Sequence, residues 1–130
     1  MTVSASPINY EFSLPCDESA PARARAALRS LDPGDPLIGD AMLLASELVT
    51  NAVRHSGCDV TDRIGLRAEL LGASVRIEVR DPALSGSVPF AAVEQDLFGG
   101  MGLRLVEALS DSWGAERDHE HQLVWAEICL

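Results

Sequence analysis

The chain has 130 residues, enough for one sheet-and-helix core and too few for two. Its net charge is −10, from twenty acidic residues against ten arginines and no lysine, which argues against sequence-independent binding to nucleic acid or anionic lipid. Without lysine there is no P-loop, so a nucleotide site here has to hold phosphates by backbone amides, arginine and metal.

The segment Met1–Pro7 lacks the basic and apolar regions of a signal peptide, and no run approaches the roughly 18 apolar residues of a membrane span, so the sequence reads as cytoplasmic. Cys16, Cys58 and Cys129 are odd in number and have no metal-ligand spacing; they read as free thiols.

In chain order, Ile8 to Leu14 alternates apolar and polar residues and predicts a strand closed by Pro15. Ser19 and Pro21 then open a helix whose apolar stripe is Ala24, Ala27, Leu28 and Leu31, with Arg23, Arg25 and Arg29 on its solvated face. After the loop Asp32–Pro36, with Asp35 as cap and Pro36 in the first turn, a second helix is predicted from Pro36 to His55, ended by Gly57. Ala41, Ala45, Leu48, Val49 and Ala52 share one of its faces, while Asp40, Glu47, Asn51 and Arg54 line the other.

Ile64, Leu66, Ala68 and Leu70 recur at period two within Thr61–Leu71, and Val75, Ile77 and Val79 do so after a Gly72-Ala73 turn, which predicts a hairpin. A third helix follows from Met101 to Asp111, with Leu105, Val106, Ala108 and Leu109 as its core face. Ser112–Arg117 and Gln122–Ile128 form a last strand pair around Asp118-His119-Glu120. The order β, α, α, β, β, α, β, β predicts an α+β two-layer sandwich with a mostly antiparallel sheet and helices on one face, a single domain over residues 1–130.

Three stretches carry chemistry. Glu47 and Asn51 stand one helical turn apart: a carboxylate able to take a proton beside an amide oxygen suited to a hard cation. Asp81 ends the strand where Pro82 breaks it, and such a carboxylate either caps the next turn or accepts hydrogen bonds from a ligand. In Gly99-Gly100-Met101-Gly102-Leu103, glycines at a helix start either cap a loop or let backbone amides approach a phosphate.

The string Glu47-Leu48-Val49-Thr50-Asn51-Ala52-Val53-Arg54-His55-Ser56 resembles the N box of the Bergerat-fold ATPases, the superfamily of gyrase B, histidine kinases and MutL. It is most similar to the small anti-sigma-factor serine kinases. The resemblance implies ATP and Mg²⁺ as cofactors, with Glu47 as general base and Asn51 as ligand of the magnesium ion that bridges the nucleotide phosphates. It also implies Asp81 as acceptor of the adenine amine, Gly100, Met101, Gly102 and Leu103 as phosphate cradle, and 82–98 as lid.

By the same resemblance, the chain phosphorylates a serine on a STAS-type anti-anti-sigma protein and holds a sigma factor inactive, and it forms homodimers. The alternative is a module that binds ATP, transfers nothing and gates a protein partner. Neither reading involves direct contact with nucleic acid or membrane. A histidine kinase proper needs a separate helix pair for its phospho-accepting histidine, and gyrase- or MutL-like machines need a coupling domain; 130 residues leave no room for either. His55 is expected to bond the last helix carbonyls rather than to accept phosphate.

Three departures from the family pattern stand out. The Asp-x-Gly-x-Gly of the relatives is here Asp81-Pro82-Ala83-Leu84-Ser85-Gly86. No basic residue occurs from Pro82 to Phe98, where relatives often have one just before the glycines, so Arg54 and Arg104 are the candidates for reaching a γ-phosphate. Leu123 stands where many relatives carry a threonine that supports the adenine contact.

Overall fold

Alternation in the strands and a 3.6-residue period in the helices give every element one apolar side, and the fold is the arrangement that brings those sides together. The computed structural model describes residues 8–82, 101–117 and 120–129. Strands β1 (Ile8–Pro15), β2 (Arg63–Leu70), β3 (Ser74–Asp81), β4 (Ser112–Arg117) and β5 (Gln122–Cys129) pair antiparallel in the order β1-β2-β3-β5-β4. Helices α1 (Ala20–Arg29), α2 (Ile38–His55) and α3 (Met101–Leu109) pack on one side of the sheet. The α+β class and the element order agree with the sequence reading.

The core lies between α2 and the middle of the sheet. Ile64, Leu66 and Ala68 of β2, Val75, Ile77 and Val79 of β3, and Val124, Ala126 and Ile128 of β5 present a continuous apolar surface. Leu44, Leu48 and Val49 of α2 pack on it, and the alanines Ala20, Ala24, Ala41 and Ala45 keep α1 and α2 close together. Each buried Val, Leu or Ile contributes about 1.5–3 kcal/mol from removal of its surface from water. The β2–β3 hairpin turns at Gly72, whose φ of 81° favours a residue without Cβ. Gly57, with φ 77°, follows the Ser56 cap and stops α2 as expected.

Several local expectations change. α2 becomes regular only at Ile38, because the Asp35 carboxylate accepts the N–H of Leu37 at 2.8 Å and holds the entry as a turn. Ala108 is exposed, so α3 seats Val106 in the core with Leu105 and Leu109 beside it. Arg25 is turned inward rather than solvated and donates from Nη1 to Ser46 Oγ at 2.7 Å, tying α1 to α2. The reading of all three cysteines as free thiols is corrected: Cys16 and Cys58 form a disulfide, and only Cys129 is free. Their Cα atoms lie 6.1 Å apart because the end of β1 and the segment leaving α2 meet beside the sheet, a proximity across 42 residues that spacing does not reveal.

The other side of the sheet carries no helix among the described residues. Arg67 pairs with Glu78 at 3.3 Å, Arg76 with Glu78 at 3.1 Å and with Glu127 at 3.7 Å. The Arg76 guanidinium lies 4.2 Å from the centroid of the Trp125 ring. Trp125 in turn covers Gly114, where an added Cβ would come within 2.8 Å of the indole.

Candidate functional site

Where the C-terminal half of α2 passes the end of β3 and the start of β5, the apolar surface is interrupted. A narrow recess, whose ≈ 10 Å³ holds no more than about one water molecule in this structure, is lined by Leu48, Ala52, Val79 and Val124 and by the polar Asn51, His55, Ser56, Asp81 and Gln122. Apolar walls with a few convergent polar groups are the usual composition of a small-molecule site.

The register explains how the polar groups reach it. Residues of β3 at 75, 77, 79 and 81 point to the helix side, and their partners on β5 are Ile128, Ala126, Val124 and Gln122. The row that would be apolar by continuation is therefore Asp81 beside Gln122, and both are buried, at 4% and 8% exposure. A carboxylate beside an amide, in a row that is otherwise apolar, makes this end of the core face a candidate site.

Asn51 faces this row from α2. It is 7% exposed, and its Nδ2 is buried without a hydrogen-bond partner. The sequence reading put Asn51 on the outer face with Asp40, Glu47 and Arg54, and the structure corrects it. At about 100° per residue Asn51 is only about 60° from Leu48, at the border of the buried stripe, and the close approach of α2 to the sheet takes it inside. Glu47, one turn earlier, is half-buried, and Arg54 is exposed.

Two lining residues escaped the sequence reading. Gln122 opens the strand, as the sequence predicts, but no sequence pattern assigned it a role; only the pairing with Asp81 identifies it. Ser56, the cap of α2, is buried and turns its Oγ toward the N–H of Cys58 at 3.1 Å. Leu123, by contrast, pairs with Arg80 and lies on the opposite side of the sheet, so the inward position next to Asp81 is Gln122 and not Leu123. Gly100, Phe98 and all of the expected lid after Pro82 lie outside the described residues. Met101, Gly102 and Leu103 form the first turn of α3, which packs against α2.

The arrangement can accept hydrogen bonds at Asp81, and can both donate and accept at Gln122 and Asn51. A half-turn of the Asn51 amide exchanges its unpartnered N–H₂ for its oxygen, so the same side chain fits either an acceptor or a cation. Among the described residues no cluster of three or more His, Cys, Asp or Glu could hold a metal alone.

Comparison with known proteins bears on the family and the fold. The family model of the histidine kinase-like ATPase domain matches residues 18–128. Among solved structures, the crystal structure of the RsbU and RsbW domains of Rv1364c from Mycobacterium tuberculosis superposes with a TM-score of 0.69 at 24% identity, covering 95% of this chain. The match spans 32% of that chain, about a third of its length. No curated protein matches the sequence.

Proposed function

Since the chain belongs to the histidine kinase-like ATPase family, we propose that its recess receives the base of ATP and that the protein is an anti-sigma-type serine kinase acting on a small regulatory protein of the STAS type. The observation that carries the reading is the buried Asp81–Gln122 row facing the unpartnered amide of Asn51. Nucleotide binding follows from the family, and to it we add a kinase reaction assisted by magnesium, on partner proteins in a cytoplasmic setting.

Asp81 accepts the adenine amine, and a guanine carbonyl at the same place would leave a buried carboxylate facing an acceptor. Gln122 beside it supplies a donor for a ring nitrogen of adenine. The N-terminal amides of α3, at Met101, Gly102 and Leu103, would hold the phosphates, where the helix dipole favours negative charge, and the resemblance adds Gly100 to them. Asn51 would hold Mg²⁺ through its amide oxygen, and the bound ion supplies charge neutralisation for phosphoryl transfer. Glu47, half-buried one turn away, accepts the proton of the attacking serine hydroxyl.

The non-transferring alternative is supported by one feature. No arginine lines the described part of the recess, and Arg54 is exposed on α2, so charge for the terminal phosphate has to come from outside it. The two readings separate by transfer of labelled γ-phosphate to STAS-type proteins, run beside calorimetry with ATP and GTP, each with and without Mg²⁺. Glu47→Ala is expected to leave ATP affinity within a few fold and to lower transfer by about 10² or more, whereas Asn51→Ala lowers Mg²⁺-dependent binding and transfer together. Tight ATP binding with no labelled product, and a captured partner whose affinity depends on ATP, would establish the gated module instead.

A further inference from the structure

We propose that the Cys16–Cys58 disulfide is a reversible redox-modification site that braces the wall of the recess, so that its oxidation state sets how tightly nucleotide is held; the link to nucleotide rests on the reading above. Cys16 directly follows β1 and is 4% exposed, whereas Cys58 is half-buried in the segment leaving α2. The bond therefore ties the end of the helix that carries Asn51 to the edge of the sheet. Cys58 also touches the recess wall itself. Its N–H donates to Ser56 Oγ at 3.1 Å and its Sγ lies 3.9 Å from the carbonyl oxygen of Ala52, and both Ser56 and Ala52 line the recess.

Beyond Cys58 the chain is held largely by its own turn. Asp59 Oδ1 accepts the N–H of Thr61 at 2.8 Å, Asp62 Oδ2 accepts the N–H of Asp59 at 3.0 Å, and a 3.4 Å bond from the N–H of Cys16 to the carbonyl of Asp62 reaches back to β1. With the disulfide open, Ser56 to Cys58 loses its covalent tie to β1. The site must then order that segment when nucleotide binds, and the ordering is paid from affinity.

The exchange balances with an external dithiol. One of its thiolates attacks Cys58 Sγ, the less buried partner; the Cys16–Cys58 bond breaks, and Cys16 leaves as a thiolate and takes a proton. The second thiol of the reductant then attacks the mixed disulfide and releases Cys58 as a thiol, so two electrons pass to the protein and the dithiol becomes a disulfide. Cys129 is a poor competitor. It lies at the far end of β5 from Gln122, and partial desolvation, then the carboxylates of Asp111 and Glu127, hold its thiol above the usual range.

The test compares air-oxidised protein with the same protein reduced by dithiothreitol, thiol state being read by mass spectrometry, with amide exchange over 52–58 and calorimetry of ATP with Mg²⁺ as readouts. Reduction is expected to speed exchange over 52–58 and to weaken ATP binding by about tenfold, and reoxidation to restore both. A double variant, Cys16→Ser with Cys58→Ser, should behave as the reduced protein and ignore dithiothreitol, while Cys129→Ser keeps the full response. Air-oxidised protein without the bond, or exchange that reduction leaves unchanged, overturns the brace. Faster exchange with unaltered ATP affinity overturns its coupling to the site. If neither form binds ATP, the nucleotide reading fails separately, and exchange over 52–58 alone decides whether the bond braces this wall.

Discussion

The two sides of the sheet are built from the same strands and obey opposite rules. On the helix side, β2, β3 and β5 present Val, Leu, Ile and Ala in unbroken rows until the last, where Asp81 and Gln122 replace them. On the open side Arg67, Arg76, Glu78 and Glu127 answer one another's charges across neighbouring strands. Polar residues are ordinary on the second side and anomalous on the first. Ionic groups are therefore informative here by location and not by number: four charges that pair with one another on the open side say little about function, and one carboxylate under a helix says much.

Substitutions can break that contrast in order of size. Ile77→Ala, at a fully buried position in the middle of β3, should lower unfolding free energy by about 2–5 kcal/mol in chemical denaturation, through lost transfer energy and the cavity left behind. Asp81→Asn keeps the shape and removes the charge, so it should reduce ATP affinity by about 1–3 kcal/mol while the denaturation midpoint hardly moves. A fall in stability with unchanged ATP binding would make Asp81 part of the scaffold. On the open side Glu78→Gln removes the charge, and one of the two oxygens, that Arg67 and Arg76 bond, and because the arginines remain partly in water the expected loss is about 1 kcal/mol, shrinking as salt is raised.

The same contrast explains what the sequence could disclose. Period two and period 3.6 located all eight described elements, because each rests on neighbours in the chain. Asn51 and Asp81, which line the recess, had stood out as candidates through a motif and a strand end, whereas Glu47 of the same motif is not among the lining residues. The side of the helix on which Asn51 lies was misread, since a residue at the border of an apolar stripe is assigned by the partner it packs against. Gln122 depended on register, which is a relation between strands; the resemblance had drawn attention to its neighbour Leu123, which the pairing places on the other side of the sheet. The disulfide required knowing that the end of β1 and the exit of α2 meet, which no local pattern encodes.

The strand order bears on how the chain finds its fold. β2 and β3 close on each other across Gly72-Ala73, and α1 and α2 are likewise neighbours in sequence, so both units can form from short-range encounters. β1 is different: it joins the sheet through β2 alone, with Pro15 opposite Arg63 and Ile8 opposite Leu70, and both helices lie in the intervening loop. Closing so long a loop is entropically slow, and its reward comes only once the hairpin is in place to receive the strand. The edge strand is thus expected to be added late in folding and released early in unfolding, and the Cys16–Cys58 bond sits at the neck of the loop whose closure limits that step.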